Sequence, residues 1–276
     1  MGFPFTKMHG LGNDFVVVDC RQRDWGEELG WPELSRRLAH RRLGVGCDQV
    51  LLLYPSGAAD VRMEIYNADG SRVEMCGNGI RCLARYVRDR ERPEAGEIRV
   101  ETLAGVVVPR FQDDLVEVDM GAPELEGRRI PVDADGPVRD RPLSVGDRTV
   151  MVTCVSMGNP HAVVFVDDAE SCPVEALGPR LETHPFFPNR VNVEFVQVLS
   201  RAELRMRVWE RGAGVTPACG TGASAAAVAA HWTGRADRDV RVRLDGGDLR
   251  IRWDPGTSRV FMTGPAATVF DGEFYL

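Results

Sequence analysis

The feature that most limits how this chain can fold is that its second half repeats its first. Met75-Cys76-Gly77-Asn78-Gly79 and Ala218-Cys219-Gly220-Thr221-Gly222 share the pattern Cys-Gly-x-Gly, with the cysteines 143 positions apart. The same shift lays Met63-Glu64-Ile65-Tyr66-Asn67 on Met206-Arg207-Val208-Trp209-Glu210, and Asp48-Gln49-Val50-Leu51 on Val191-Asn192-Val193-Glu194. Near the start of each copy, Gly12-Asn13-Asp14-Phe15 resembles Gly158-Asn159-Pro160-His161 with a shift of 146. Valine-rich strands match by chance, but chance does not keep glycine, amide and cysteine positions at one spacing. A period this long marks a duplicated domain rather than a solenoid.

The copies run from about the first ten residues to Gly121 and from about Val150 to Gly264. The Pro/Gly/Asp-rich stretch from Gly121 to Arg148 reads as a connection holding a short strand or two. The expected domains are residues 1–120, completed by a C-terminal strand over 265–276, and residues 121–264. Most segments are short, β-branched and bounded by Gly, Pro or Asp, as in Val16–Val18, Val50–Leu53, Val106–Val108 and Leu115–Val118. Helices are expected over Pro32–Arg42, Ile80–Arg90, Val174–His184 and Ala223–Trp232. Ala223–Ala230 is nearly all alanine, and small residues let a helix pack closely, so each post-cysteine helix is expected to be wrapped by its own sheet.

A thiol at a helix start meets unpaired backbone N–H groups and the positive end of the helix dipole. Both favour thiolate, and so are expected to lower the pKa of Cys76 and Cys219 toward neutrality. The same N–H groups hold carboxylates. Two such thiols suit the removal of a proton from one face of a carbon and its return on the other. Oriented N–H donors in a pocket closed to water would stabilise the carbanion-like intermediate. Glu210-Arg211 could bind an ammonium and a carboxylate, and the amides Asn13, Asn67, Asn159 and Asn192 could satisfy further groups without adding charge. Together these imply a two-ended diamino diacid.

Composition closes other routes. Lys7 is the only lysine among 34 basic residues, so a pyridoxal phosphate Schiff base is not expected. The net charge of −7 has no basic stripe for nucleic acid. The N-terminus lacks a signal peptide's basic start and apolar core, and no apolar run reaches membrane-spanning length, so a cytoplasmic protein is expected. Seven cysteines without a CxxC pair fit free thiols, and the five histidines do not cluster with them at zinc-ligand spacings.

Taken in order, Lys7-Met8-His9-Gly10-Leu11-Gly12-Asn13-Asp14-Phe15, Gly46-Cys47-Asp48-Gln49, Asn67-Ala68-Asp69-Gly70-Ser71, the first Cys-Gly-x-Gly with Ile80-Arg81-Cys82, Met157-Gly158-Asn159-Pro160-His161, Asn189-Arg190-Val191-Asn192, Glu210-Arg211-Gly212 and the second Cys-Gly-x-Gly are similar to the diaminopimelate epimerase family over nearly the whole chain. The resemblance implies interconversion of LL- and meso-diaminopimelate, for lysine and peptidoglycan synthesis, with no cofactor and no metal. It implies an α/β (α+β) fold of two pseudo-symmetric domains, each a curved, mostly antiparallel sheet around a central helix, with the site in the cleft, and a homodimer. By motif, Cys76 and Cys219 become the base/acid pair. Gly77, Asn78, Gly220 and Thr221 would hold the reacting carboxylate. Asn13, Gln49, Asn67, Asn159, Asn192, Glu210 and Arg211 would contact the substrate, with His161 and Glu210 tuning the thiols. Val215 stands where the family usually carries glutamate.

Blander readings stand beside these. Any cysteine is normally a structural thiol, and Cys20, Cys47, Cys82, Cys154 and Cys172, which lack a repeat partner, are expected to be so. His161 could be a satisfied core histidine, Glu210-Arg211 a surface ion pair, and Asn13 and Asn159 turn caps. His9 is expected to serve the Met8–Asn13 turn. The rival activities are a proline or hydroxyproline racemase, whose substrate would leave Glu210-Arg211 without a purpose, and a non-enzymatic thiol protein.

Overall fold

Two compact units divide the chain, Met1–Val118 with Gly264–Leu276 forming the first and Asp119–Thr263 the second. The computed structural model describes residues 2–27, 29–146 and 148–275. Asp147 of the expected connection and the outermost residues of the expected domain bounds, Met1 and Leu276, lie outside the described residues.

The first unit contains β1 (Gly2–Gly10), β2 (Asn13–Asp19), α1 (Trp31–Ala39), β3 (Gln49–Tyr54), β4 (Val61–Asn67), β5 (Arg72–Val73), α2 (Gly77–Glu91), β6 (Val100–Thr102), β7 (Gly105–Val107) and the hairpin of β8 (Arg110–Gln112) with β9 (Leu115–Asp119). The second contains β10 (Arg141–Val145), β11 (Arg148–Ser156), β12 (Pro160–Phe165), α3 (Val174–Glu182), β13 (Asn192–Ser200), β14 (Glu203–Glu210), β15 (Gly214–Thr216), α4 (Gly220–Trp232), β16 (Asp239–Leu244), β17 (Gly247–Trp253) and β18 (Val260–Pro265). The chain then returns to the first unit as β19 (Ala267–Tyr275). Much of the expected connection is built into the second unit, where β10 pairs with β11 and Glu124 bridges Ser156.

Strand register carries the duplication residue by residue. In the first unit the strands run β19-β1-β2-β3-β4-β6-β7, with β5 on β4; in the second they run β10-β11-β12-β13-β14-β16-β17-β18, with β15 on β14. The parallel pair β2/β3 sets Phe15 opposite Gln49, and β12/β13 sets His161 opposite Asn192. Val50 lies opposite Tyr66 as Val193 lies opposite Trp209, and Ile65 opposite Val73 as Val208 opposite Thr216. Antiparallel pairs outnumber parallel ones in both sheets, as expected.

Both faces of each central sheet are covered, which is why β2 and β3 read as unbroken apolar runs rather than alternating ones. Val16, Val18, Val50 and Leu52 face Trp31, Leu34 and Leu38 of α1. The alternate residues, among them Phe15 and Leu51, meet α2 at Gly79. In the second unit Ala162, Val164, Val193 and Phe195 pack with Val174 and Leu181 of α3, while α4 packs against β11 to β14, β16 and β17. The amphipathic α2 keeps a charged outer face, whereas α4 is buried from Ala223 to Ala230 and so needs alanine throughout.

Candidate active site

Each Cys-Gly-x-Gly pattern places its cysteine as the cap of a helix. Cys76 has extended backbone, φ −141° and ψ 115°, and its Sγ accepts the Gly79 N–H at 3.4 Å. Cys219 has φ −126° and ψ 111°, and its Sγ accepts the Gly222 N–H at 3.4 Å. The sulfur takes the part usually played by a Ser or Asp oxygen, and satisfies a first-turn donor that has no partner inside the helix. Both helices therefore start at the glycine after the cysteine, three residues before the starts expected from sequence. Glycine is needed at the capped position for room. A Cβ on Gly79 would lie 3.1 Å from Leu51 Cδ2, and one on Gly222 would lie 2.7 Å from Glu194 Oε1.

The two thiols differ in surroundings. Cys76 is half-buried, whereas Cys219 is 5% exposed. Burial, with the charges of Glu210 and Glu194, pushes the Cys219 thiol well above its ordinary range, against the smaller help of Thr221 and the Gly222 N–H. The sequence led us to expect both thiols lowered by their helices. For Cys219 desolvation and two carboxylates outweigh the helix terminus. Glu210 is itself raised, by burial, although hydrogen bonds from Thr216 and Cys219 and the nearby His161 oppose this. The five cysteines without repeat partners are all buried, and burial pushes Cys20, Cys47 and Cys82 up to about 12 and raises Cys154 and Cys172 as well.

In the first unit the amides form two short chains. Asn78 Nδ2 donates to Asn13 Oδ1 at 3.2 Å, and Asn13 Nδ2 donates to Asp48 Oδ2 at 2.8 Å. Gln49 Nε2 donates to Asn67 Oδ1 at 2.9 Å, and Asn67 Nδ2 to Ser71 Oγ at 2.9 Å. Among the described residues Gln49 Oε1 and Asn78 Oδ1 remain as buried acceptors without a hydrogen-bond partner. His9 Nδ1 accepts the Gly12 N–H at 3.4 Å within its turn. The sole lysine is engaged by the Asp14 carboxylate and the Gly46 carbonyl.

In the second unit Asn159 Oδ1 lies 2.9 Å from His161 Nε2, and His161 Nδ1 lies 2.7 Å from Glu194 Oε1. Thr216 donates its hydroxyl to Glu210, and Thr221 Oγ1 lies 3.5 Å from Cys219 Sγ. Asn192 is buried, donating to the Pro160 carbonyl at 3.0 Å and accepting the Arg211 N–H at 2.9 Å, so it fixes the backbone from which the exposed Arg211 projects. Val215 is exposed opposite Trp209 in the β14/β15 ladder. Among the described residues no group of three or more His, Cys, Asp or Glu is arranged to hold a metal ion.

The chain as a whole is matched by known proteins. The diaminopimelate epimerase family model matches residues 5–126 and 153–269. The chain belongs to the diaminopimelate epimerase family. A relative of that name from Moorella thermoacetica is 55% identical over 278 residues, covering 99% of both chains, and one from Synechocystis is 50% identical over 278 residues with the same coverage. The fold is shared more widely. A phenazine biosynthesis protein of the PhzF family from Bacillus anthracis has a TM-score of 0.73 at 18% identity, covering 100% of both chains. A hydroxyproline epimerase from Agrobacterium vitis has a TM-score of 0.69 at 19% identity, covering 100% of this chain and 93% of that one.

Three residues near the thiols escaped the sequence reading. Asp48 orients Asn13. Arg81, fully buried, donates to the Pro265 carbonyl at 3.2 Å and the Gly77 carbonyl at 3.4 Å, in space left by Gly10, and interacts electrostatically with Cys76. Glu194 is a carboxylate with no exposed surface. The signal for Glu194 was present: an acid inside the apolar run of β13, aligned with Leu51.

Proposed function

We infer that this chain is a cofactor-independent isomerase that interconverts LL-2,6-diaminopimelate and meso-2,6-diaminopimelate, a step in the supply of lysine and peptidoglycan precursors. The observation that carries the chemistry is the matched capping geometry, one thiol per unit accepting the same first-turn N–H. Cys76 and Cys219 are the two acid/base groups. One, as thiolate, takes the α-proton, and the other, as thiol, returns a proton to the opposite face, so that configuration inverts and the pair exchanges roles in the reverse direction. Backbone N–H groups of Gly77, Asn78, Gly220 and Thr221 hold the reacting carboxylate and stabilise charge that moves onto it. The unpartnered acceptors Gln49 Oε1 and Asn78 Oδ1 suit an ammonium, and Asn13, Asn67, Asn159, Glu210 and Arg211 complete recognition of a two-ended substrate, with Asn192 setting Arg211. His161 and Glu210 tune the thiols.

The deciding experiment incubates the protein with LL-diaminopimelate in D2O and follows α-deuterium and stereoisomer composition, with proline as the control substrate. Cys76→Ala and Cys219→Ala should each lower turnover by about 10³-fold or more while leaving the fold intact. Full turnover in either variant, or turnover of proline in place of diaminopimelate, rules the reading out.

We further propose a cytoplasmic homodimer; no helix among the described residues is long and apolar enough to cross a membrane. Support for a second copy comes from β19, which among the described residues ends the first unit's sheet with no strand on its outer edge and carries exposed Val269, Phe270 and Tyr275.

A further inference from the structure

The duplication supplies an internal control for every residue near Cys219. Beneath Cys76, the face of the sheet toward α2 is apolar. A Cβ on Gly79 would meet Leu51 at 3.1 Å and Phe15 at 3.4 Å. The register places His161 where the first copy has Phe15, and Glu194 where it has Leu51. The second copy has thus replaced an apolar core pair by a hydrogen-bonded imidazole and carboxylate, 2.7 Å apart and both without exposed surface. The substitution has no structural motive, since the first copy folds around the apolar pair. A buried ion pair or its neutral equivalent is commonly no more stabilising than well-packed apolar side chains of similar volume. In the opposite sense, the buried Arg81 of the first copy aligns with Ser224, and each bonds the carbonyl four residues back, Gly77 and Gly220 respectively.

We propose that Glu194 is a positioning residue for the Cys219 half of the reaction, fixing the His161 ring and placing a buried carboxylate beside the helix start that Cys219 caps. This rests on the reading of Cys219 as an acid/base group. His161 is held from both sides, Nδ1 by Glu194 and Nε2 by Asn159, so its ring cannot turn away. Glu194 Oε2 is buried with no hydrogen-bond partner among the described residues, and the Glu194 carboxylate acts on both Cys219 and Glu210. Of the titratable groups on the elements packed around α4, Glu194 from β13 and Glu210 from β14 act on Cys219, and His161 from β12 acts on Glu210. The buried residues of β11, β16 and β17 include no carboxylate, imidazole or guanidinium. Negative charge therefore dominates at this thiol, whereas the buried guanidinium of Arg81 lies near Cys76.

Two variants of the full chain test this. In Glu194→Gln, iodoacetamide alkylation of each cysteine is followed across pH by peptide mass spectrometry, which needs no substrate. Removing a negative charge lowers the proton affinity of Cys219, so its alkylation midpoint should move to lower pH while that of Cys76 stays in place. The double variant His161→Phe/Glu194→Leu rebuilds the first copy's pair. It should melt at or above the wild-type temperature, while kcat for diaminopimelate falls about 10- to 100-fold with KM nearly unchanged. An unmoved Cys219 midpoint, or a double variant with wild-type kcat, overturns the proposal. If the wild type fails to turn over diaminopimelate, the functional reading falls, and the alkylation midpoint still decides the role of Glu194.

Discussion

The orientation of Asn13 rests on a neighbouring carboxylate, Asp48. Its amide could turn either way, but Asp48 accepts from Nδ2 at 2.8 Å, and this leaves Oδ1 facing Asn78. Asp48 in turn accepts the Asp14 N–H at 3.1 Å and an Arg41 donor at 2.6 Å. Asp48→Ala should therefore release Asn13 and lower kcat/KM about 10-fold, near 1.4 kcal/mol, with Asp48→Asn recovering part of it in steady-state kinetics. Asp14 anchors the same cluster. Burial raises its pKa, but hydrogen bonds and charge from Arg41 and Lys7 more than offset this and hold it down at about 2. A carboxylate depressed in this way adds stability that is fully present above its unfolded value near 4, and that is lost as pH falls toward 2. Asp14→Asn should cost about 2 kcal/mol at pH 7 in urea unfolding, and its stability curve should converge on the wild type below about pH 2. Asn13, Asn67, Asn159 and Asn192 stood out as candidates because glycine-rich turns and the repeat flagged them, whereas Gln49 and Asn78 came from the family resemblance. Asp48, Arg81 and Glu194 were legible in neither way, because a hydrogen bond or a buried charge is a property of the partner, which only folding supplies.

The two capped helices fold from unlike sequences. The window Gly77-Asn78-Gly79 has poor helix propensity, as does Gly220-Thr221-Gly222, so local preference places each helix start three residues late. The capping sulfur and the packing of the first turn on the sheet override that preference. Similar competition trims α1, which ends at Ala39 rather than Arg42 because the chain turns there to return Gly44 N–H to the His40 carbonyl. In α4 the constraint is volume. Ala225, Ala226 and Ala229 have no exposed surface, and six strands surround the helix. Ala226→Leu should lower the unfolding free energy by about 1–3 kcal/mol in urea titration through overpacking. Leucine in place of the half-buried Arg85 on the outer face of α2 adds no volume to the core, removes a surface ion pair with Asp89, and should change it by less than about 1 kcal/mol.

The duplication was readable because glycines, amides and cysteines held their spacing, and the ladder registers follow the same shifts. What spacing could not reveal is how each copy treats its edges. In the first unit β19 covers β1 from Gly2 opposite Tyr275 to His9 opposite Ala267, with Phe274 against Phe3 and Phe270 against Phe5. Among the described residues its other side pairs with no strand, and a register shift leaves Val269 out of the ladder. An apolar strand edge left open invites pairing with another chain unless something covers it. A second copy can do so with the same patch, since a two-fold interface is self-complementary. A groove of about 390 Å³ between α1, with Glu33, Arg36 and Arg37, and the end of β19, with Phe274 and Tyr275, offers a place for a partner's side chains. Sedimentation velocity at micromolar concentration should then give twice the chain mass of 30.5 kDa. Val269→Lys/Tyr275→Lys places like charges across the proposed two-fold and should sediment at the chain mass with its secondary structure intact. A wild-type chain that sediments as a single copy at the same concentration would remove β19 as the interface.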